Sequence, residues 1–202
     1  MTRIKLCGLS RCCDIEAANE LKPEYVGFVF AQKSKRYITT EKARELKRIL
    51  SPDIQTVGVF VKEKPECVAE LLNKGIIDIA QLHGGEDEDY MNKLRQLTDK
   101  PIIKAFRITS AVDIDKAEQC RADYVLLDSG AGTGTVFDWE LIQNIKRPYF
   151  LAGGLSPENA EDAVKKLTPY AVDVSSGIET DGVKDKYKMA AFIAAVRKED
   201  RQ

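Results

Sequence analysis

A thiol and a carboxyl group occupy matching places in this chain. Leu6-Cys7-Gly8 ends the first apolar run, and Leu126-Leu127-Asp128-Ser129 ends another in the same way. If both runs are strands of one barrel, Cys7 and Asp128 are placed like an acid-base pair, one taking a proton and the other giving one. A free thiol with a pKa of about 8.5 is only a few per cent thiolate at neutral pH. Lys5, two residues upstream on the same strand, shares the inward side of Cys7 and is expected to stabilise the thiolate. If Asp128 is the member of the pair that gives the proton, it must instead start protonated, which an apolar wall and a neighbouring negative charge would favour. The two pKa values are therefore expected to be displaced in opposite senses. The plainer alternatives are a small buried hydrophobe for Cys7 and a cap or loop hydrogen bond for Asp128.

A second constellation suits an anion. Leu151-Ala152-Gly153-Gly154-Leu155-Ser156 and Asp173-Val174-Ser175-Ser176-Gly177-Ile178-Glu179 each close an apolar run and enter a turn. Glycines let bare backbone N-H groups approach a ligand closely, and a short helix after the second run would aim its N-terminal amides at a phosphate. Gly153, Gly154, Ser175, Ser176 and Gly177 are accordingly the expected phosphate contacts. Otherwise both segments merely turn corners.

These groups need a frame. Short β-branched runs alternate with longer segments whose apolar residues recur three or four positions apart. The expected strands are Arg3 to Cys7, Tyr25 to Phe30, Gln55 to Val61, Asp78 to Leu82, Pro101 to Phe106, Asp123 to Asp128, Tyr149 to Ala152 and Ala171 to Val174. Helical stripes include Ala43, Leu46, Ile49 and Leu50, and Ala160, Ala163, Val164 and Leu167. Ser156-Pro157-Glu158 is expected to open one helix with an N-cap serine, and Thr39 or Thr40 to cap another. Near-continuous apolar strands, each followed by a helix, imply an α/β fold with an all-parallel sheet covered on its outer face. A doubly wound sheet gives the same alternation, but eight units in 202 residues match a single-domain (β/α)8 TIM barrel over residues 1–202. In that fold the reacting groups lie at the C-terminal strand ends.

Composition narrows the function. With 44% hydrophobic residues the chain is long enough to bury roughly 70% of its unfolded surface. Lys and Arg number 31 against 32 Asp and Glu, with no basic block, so nucleic acid is not an expected partner. No apolar signal segment or bilayer-length run is evident, so no membrane partner is expected and the protein is read as cytoplasmic. Cys7, Cys12, Cys13, Cys67 and Cys120 contain no Cys-x-x-Cys pair, and His83 is the single histidine. This argues against a disulfide framework or a zinc site, and a two-His metal centre is excluded. Cys12, Cys13, Cys67 and Cys120 fall in helical stretches and are assigned no chemistry.

The ordered set Lys5-Leu6-Cys7-Gly8, Gly27-Phe28-Val29-Phe30, Ser34-Lys35-Arg36-Tyr37, Gln81-Leu82-His83-Gly84, Leu127-Asp128, Gly132-Thr133-Gly134 with Phe137-Asp138-Trp139, Ala152-Gly153-Gly154-Leu155 and Val172 through Glu179 resembles the phosphoribosylanthranilate isomerase family of tryptophan biosynthesis. The resemblance implies an Amadori rearrangement of an aminoaldose, N-(5-phosphoribosyl)anthranilate, into 1-(2-carboxyphenylamino)-1-deoxyribulose 5-phosphate, without metal or organic cofactor. It also implies Asp128 as the acid for the furanose oxygen, Cys7 as the base for the C2 proton, and Arg36 as the partner of the anthranilate carboxylate. Gln81 is expected to hydrogen-bond near the base and His83 to shape the pocket. Asp173 either contacts the sugar or ties loops together.

The chain departs from the family pattern after Asp128. Ser129-Gly130-Ala131-Gly132-Thr133-Gly134 is shorter than the loop of many members, with alanine at the first glycine position. This link could still act as a lid, and Trp139 is expected to pack at the start of the next helix.

Two rival functions bear on the same residues. One is a non-catalytic phosphosugar-binding barrel, which would not need both Cys7 and Asp128. The other is a dual-substrate isomerase that also serves histidine synthesis and grips two phosphates from opposite halves of the barrel. The latter would need a glycine-rich anion loop after the third strand, where Val61-Lys62-Glu63-Lys64-Pro65 stands instead. Gly84-Gly85 faintly echoes Gly153-Gly154, and no second phosphate is assigned to it.

Overall fold

In a closed ring of parallel strands every second side chain points into the ring, so side-chain alternation decides which residues meet. A computed structural model describes residues 1–128, 142 and 145–199. Strands β1 (Arg3–Cys7), β2 (Tyr25–Val29), β3 (Gln55–Phe60), β4 (Ile79–Leu82), β5 (Ile102–Arg107), β6 (Tyr124–Asp128), β7 (Tyr149–Ala152) and β8 (Ala171–Val174) form a closed barrel in chain order. Every pairing is parallel, and the ring closes through Arg3 opposite Ala171 and Leu6 opposite Val174.

Helices α1 (Cys12–Leu21), α2 (Thr40–Ile49), α3 (Pro65–Asn73), α4 (Glu88–Leu97) and α5 (Ala111–Gln119) follow the first five strands. Helix α6 (Ala160–Leu167) joins β7 to β8. After β8 come a 3-10 turn at Ser176–Ile178, a hairpin of β9 (Glu179–Thr180) and β10 (Val183–Lys184), and α7 (Lys186–Glu199). Gly130 to Gly134 and Trp139, for which a lid and a packing role are expected, lie outside the described residues. None of the described helices is long and apolar enough to cross a membrane.

Two apolar layers follow from the alternation. Ile4, Leu6, Val26, Phe28, Val125, Leu127, Val172 and Val174 face outward and pack under the helices. Tyr25, Val57, Ile79, Ile103, Leu126 and Phe150 fill the ring. Phe150 lies at its floor, with ring centroids 5.4, 5.7 and 5.8 Å from Tyr25, Tyr124 and Tyr170. The same parity turns Lys5 and Cys7, Gln81, Asp128 and Asp173 away from the helix layer. The floor closes one end of the ring and leaves the other for chemistry.

Three local expectations are corrected. Ile49 is 43% exposed, because α2 ends there and Leu50 turns inward in its place. Helix α6 begins at Ala160 behind Asn159, not at Ser156. Asn159 turns its amide back, accepting from the Ser156 N-H (2.9 Å) and donating to the Gly154 carbonyl (2.9 Å), and its ψ of −5° departs from the helix. Strands β2 and β3 stop one residue early, at Val29 and Phe60, and Val61 is already exposed. Thr39 does cap α2, accepting from the Lys42 N-H at 3.2 Å.

Phe150 is itself fully buried and bridges three aromatic rings, so Phe150→Ala should cost about 3–5 kcal/mol. Urea unfolding with an unchanged m-value checks this, and a loss below about 1 kcal/mol would show that the floor collapses around the gap.

Candidate active site

A cavity of about 330 Å3 opens at the C-terminal mouth of the barrel. Its wall includes Cys7, Arg36, Gln81, His83, Asp128, Gly153, Gly154, Asp173, Ser175 and Ser176. Lys5 and Gly177 are not part of that wall. Lys5 lies beneath it, fully buried, with Nζ 3.0 Å from both carboxylate oxygens of Asp173. Gly177 holds the loops after β7 and β8 together: a Cβ there would stand 2.0 Å from the Leu155 carbonyl oxygen. The segment after β8 is a single 3-10 turn, shorter than the expected helix.

Cys7 ends β1 opposite Gly27, and a Cβ on Gly27 would come within 2.7 Å of the sulfur. That bare backbone makes room for the thiol among Val29 and Val59. Burial pushes the Cys7 thiol above its ordinary value, and Asp173 adds to the rise. Lys5 and Lys184 pull it down without overcoming burial. Lys5 thus acts in the expected sense, and what is corrected is the net displacement of Cys7, which burial sets upward. Lys5 itself is held above its ordinary value: burial works to lower it, but Asp173 and Cys7 outweigh that effect.

Gln81 and His83 continue the inward parity of β4. The Gln81 amide Nε2 lies 2.8 Å from His83 Nδ1, and His83 Nε2 lies 3.3 Å from Asp128 Oδ2. An amide N-H given to Nδ1 leaves the imidazole proton on Nε2, toward Asp128. Histidine thus bridges a buried amide and the carboxyl group at the end of β6.

Arg36 makes a bidentate pair with Glu179, at 2.6 and 2.8 Å through Nε and Nη2. Gly8, with a φ of 80°, lets the guanidinium stem cross the end of β1, where a Cβ would lie 2.5 Å from Arg36 Cδ. Lys184 completes the cluster, donating to Glu179 Oε1 (2.6 Å) and to the Ser175 carbonyl (2.8 Å). Burial lowers Lys184 below its usual ammonium value despite Glu179. Sequence reasoning gave Glu179 and Lys184 no role. Glu179 closes a motif and is visible to that extent, whereas Lys184 sits in a polar hairpin with nothing to distinguish it from a solvated charge.

Chemically, the mouth offers a thiol and a carboxyl group facing one space, a guanidinium edge, and glycine- and serine-rich turns. Such a set can move protons on a small anionic ligand while holding its charged ends.

Two outcomes test these electrostatics. Asp173→Asn leaves Lys5 buried without its counter-charge, which should destabilise the fold by about 3–5 kcal/mol. It should also move the pH midpoint of Cys7 alkylation by iodoacetamide downward, and an unmoved or raised midpoint would contradict the Lys5–Asp173 account. Glu179 is held below the ordinary carboxyl value: burial acts to raise it, but Arg36 and Lys184 outweigh burial. A carboxyl lowered on folding stabilises above its unfolded pKa of about 4.3, and that contribution is lost as pH falls through the folded value. Glu179→Gln should therefore lose stability less steeply than wild type over the acid limb; parallel curves would contradict this.

Comparison with known proteins agrees with the geometry. A family model for N-(5'phosphoribosyl)anthranilate (PRA) isomerase matches residues 4–195. An N-(5'-phosphoribosyl)anthranilate isomerase of Endomicrobium trichonymphae is 43% identical over 202 residues, covering 98% of this chain and 99% of that protein. The crystal structure of phosphoribosyl anthranilate isomerase from Thermotoga maritima superposes with a TM-score of 0.90 at 37% identity, covering 98% of this chain and 100% of that one. A phosphoribosyl anthranilate isomerase crystallised in complex with reduced 1-(o-carboxyphenylamino)-1-deoxyribulose 5-phosphate gives a TM-score of 0.88 at 37% identity, with the same coverage. A barrel matched from end to end, carrying a thiol and a carboxyl group over one cavity, belongs to the N-(5'-phosphoribosyl)anthranilate isomerase family.

Proposed function

We propose that this chain converts N-(5'-phosphoribosyl)anthranilate into 1-(2-carboxyphenylamino)-1-deoxyribulose 5-phosphate, as a step of tryptophan biosynthesis. The observation that carries this reading is that Cys7 and Asp128, from β1 and β6, line one cavity with the loops that follow β7 and β8. Asp128 gives a proton to the furanose ring oxygen, the C1–O bond breaks, and the anthranilate nitrogen lone pair forms a protonated Schiff base. The Cys7 thiolate then removes the proton from C2. The C2–H electron pair forms the C1–C2 double bond of an enolamine, which tautomerises to the ketone.

A raised thiol pKa suits this order of events. At rest Cys7 holds its proton. The cationic Schiff base formed above it lowers the thiol pKa, the thiol proton passes to solvent through the open mouth, and the thiolate is left to take the C2 proton. His83 keeps the Asp128 carboxyl group oriented, and Gln81 fixes the imidazole. Glu179 holds the Nε/Nη2 edge of Arg36, and the remaining Nη1 edge is directed to the anthranilate carboxylate. The sugar phosphate is held by backbone N-H groups of Gly153, Gly154, Ser175 and Ser176, with Gly177 permitting the close approach of the two loops. Lys5 and Asp173 support the base from below, and the ligand touches Asp173 at the cavity wall. The activity resides in one barrel domain acting in the cytoplasm on a small phosphorylated amino sugar.

Generating the substrate in situ and following loss of its anthranilate fluorescence tests the reading. Wild type should consume it, while Cys7→Ala and Asp128→Ala should lower kcat by roughly 10²–10⁴ and still bind a product analogue. A second measurement tests the base: the pH midpoint of Cys7 alkylation by iodoacetamide in the free protein should lie above the ordinary thiol value of about 8.5. Full turnover by Cys7→Ala would refute the role given to the thiol.

A further inference from the structure

Across the barrel from the loops after β7 and β8, a carboxylate is held in an unusual cradle. Glu86 is buried, and its Oε1 accepts the Lys62 N-H at 2.7 Å. Its Oε2 accepts the Gly84 N-H at 2.8 Å and the Lys104 ammonium at 2.9 Å. Lys104 also donates to the Gly84 carbonyl at 2.8 Å. A Cβ on Gly84 would stand 2.6 Å from Oε1, so only glycine lets the main chain come this close to the anion. Burial pushes the Glu86 carboxyl up, but the Lys62 N-H and Lys104 outweigh it and hold the group below its ordinary value, as an anion.

The position of this cradle is informative. Lys62 and Gly84 are each the second residue after their strands, β3 and β4. Gly154 and Ser176 are each the second residue after β7 and β8. In a ring of eight, β3 and β4 lie opposite β7 and β8. The backbone matches too: Lys62 has a φ of 53° and Gly154 a φ of 65°, both in the left-handed region. A lysine there bears a steric cost that glycine escapes, so at this one position the loop after β3 holds a left-handed angle without the glycine that suits it.

We propose that Glu86 is an internal anion occupying a second phosphate-type site, built from the Lys62 and Gly84 N-H groups and the Lys104 ammonium. Glu86 and Lys104 line a separate pocket between α4 and α5, outside the wall of the mouth cavity, so the site lies behind the rim. The comparison with Gly154 and Ser176 rests on the phosphate reading given above; the cradle around Glu86 does not. Gly84 thus serves a carboxylate the chain carries itself.

The test is inorganic phosphate binding, followed by 31P NMR and by thermal unfolding in phosphate against chloride at equal ionic strength. Wild type should bind one phosphate and Glu86→Ala two, with the extra equivalent lost again in the Glu86→Ala/Lys104→Met double variant. Phosphate should raise the unfolding midpoint of Glu86→Ala more than that of wild type, because it refills the cradle. A Glu86→Ala protein that gains neither an equivalent nor extra stabilisation overturns the proposal and leaves Glu86 as a loop tie. If wild type binds none and Glu86→Ala binds one, the reading of the β7 and β8 loops fails while this one stands. Should Glu86→Ala be recovered poorly in chloride, refolding in phosphate decides the matter: recovery supports the proposal and failure in both salts overturns it.

Discussion

A lysine ammonium sealed inside a ring of strands must find a counter-charge, and Lys5 finds Asp173 on the neighbouring strand β8. Pairing in register places Lys5 directly opposite Asp173, so the two meet without any loop having to fold over them. This pair sits between an aromatic floor and an open mouth. Below it the interior is apolar; above it the side chains carry charge. Its first consequence falls on Cys7, one inward step further along β1. An unpaired Lys5 would draw the thiol toward thiolate, whereas a Lys5 shared with Asp173 leaves burial in control. Burial thus holds the Cys7 thiol above its ordinary value.

The same economy of charge governs the rim. Arg36, Glu179 and Lys184 form one cluster of two cations around a carboxylate, and Lys104 with Glu86 forms another on the opposite side. In both, the carboxylate is supplied by the chain in a place where an anionic ligand would otherwise be drawn. Glu179 leaves part of the Arg36 guanidinium open, and Glu86 uses every donor around it. Partial occupancy orients a binding group, and full occupancy closes a site.

Much of this was legible in the sequence, and the limits have physical causes. The eight strands could be placed to within a residue or so because parallel strands buried on both faces read as unbroken apolar runs. Parity along those runs then put Lys5, Cys7, Gln81, Asp128 and Asp173 inside. Parity says nothing about which charges meet, so the Lys5–Asp173 and Arg36–Glu179 pairs were out of reach, and with them the sense of the Cys7 displacement. The start of α6 was misplaced for a local reason: Ser156 has the chemistry of a cap, but the backbone at Asn159, with ψ of −5°, leaves the helical region and the helix begins only after it. Lys184 and Glu86 read as ordinary surface charges until the fold surrounds them.

Loop symmetry carries the reasoning one step further. When a barrel presents matching turns on opposite sides, the turns alone do not determine how many anions it binds, because the backbone N-H groups are present at both. What differs here is a side chain two residues beyond Gly84. Between Ser176 and Glu179 the chain spends its carboxylate on Arg36 and Lys184, leaving the strand-end amides of β8 facing the cavity wall. Between Gly84 and Glu86 it turns the carboxylate back onto those amides. Where an acidic residue falls after a strand thereby decides whether the carboxylate turns back onto the strand-end amides or pairs with side-chain cations instead.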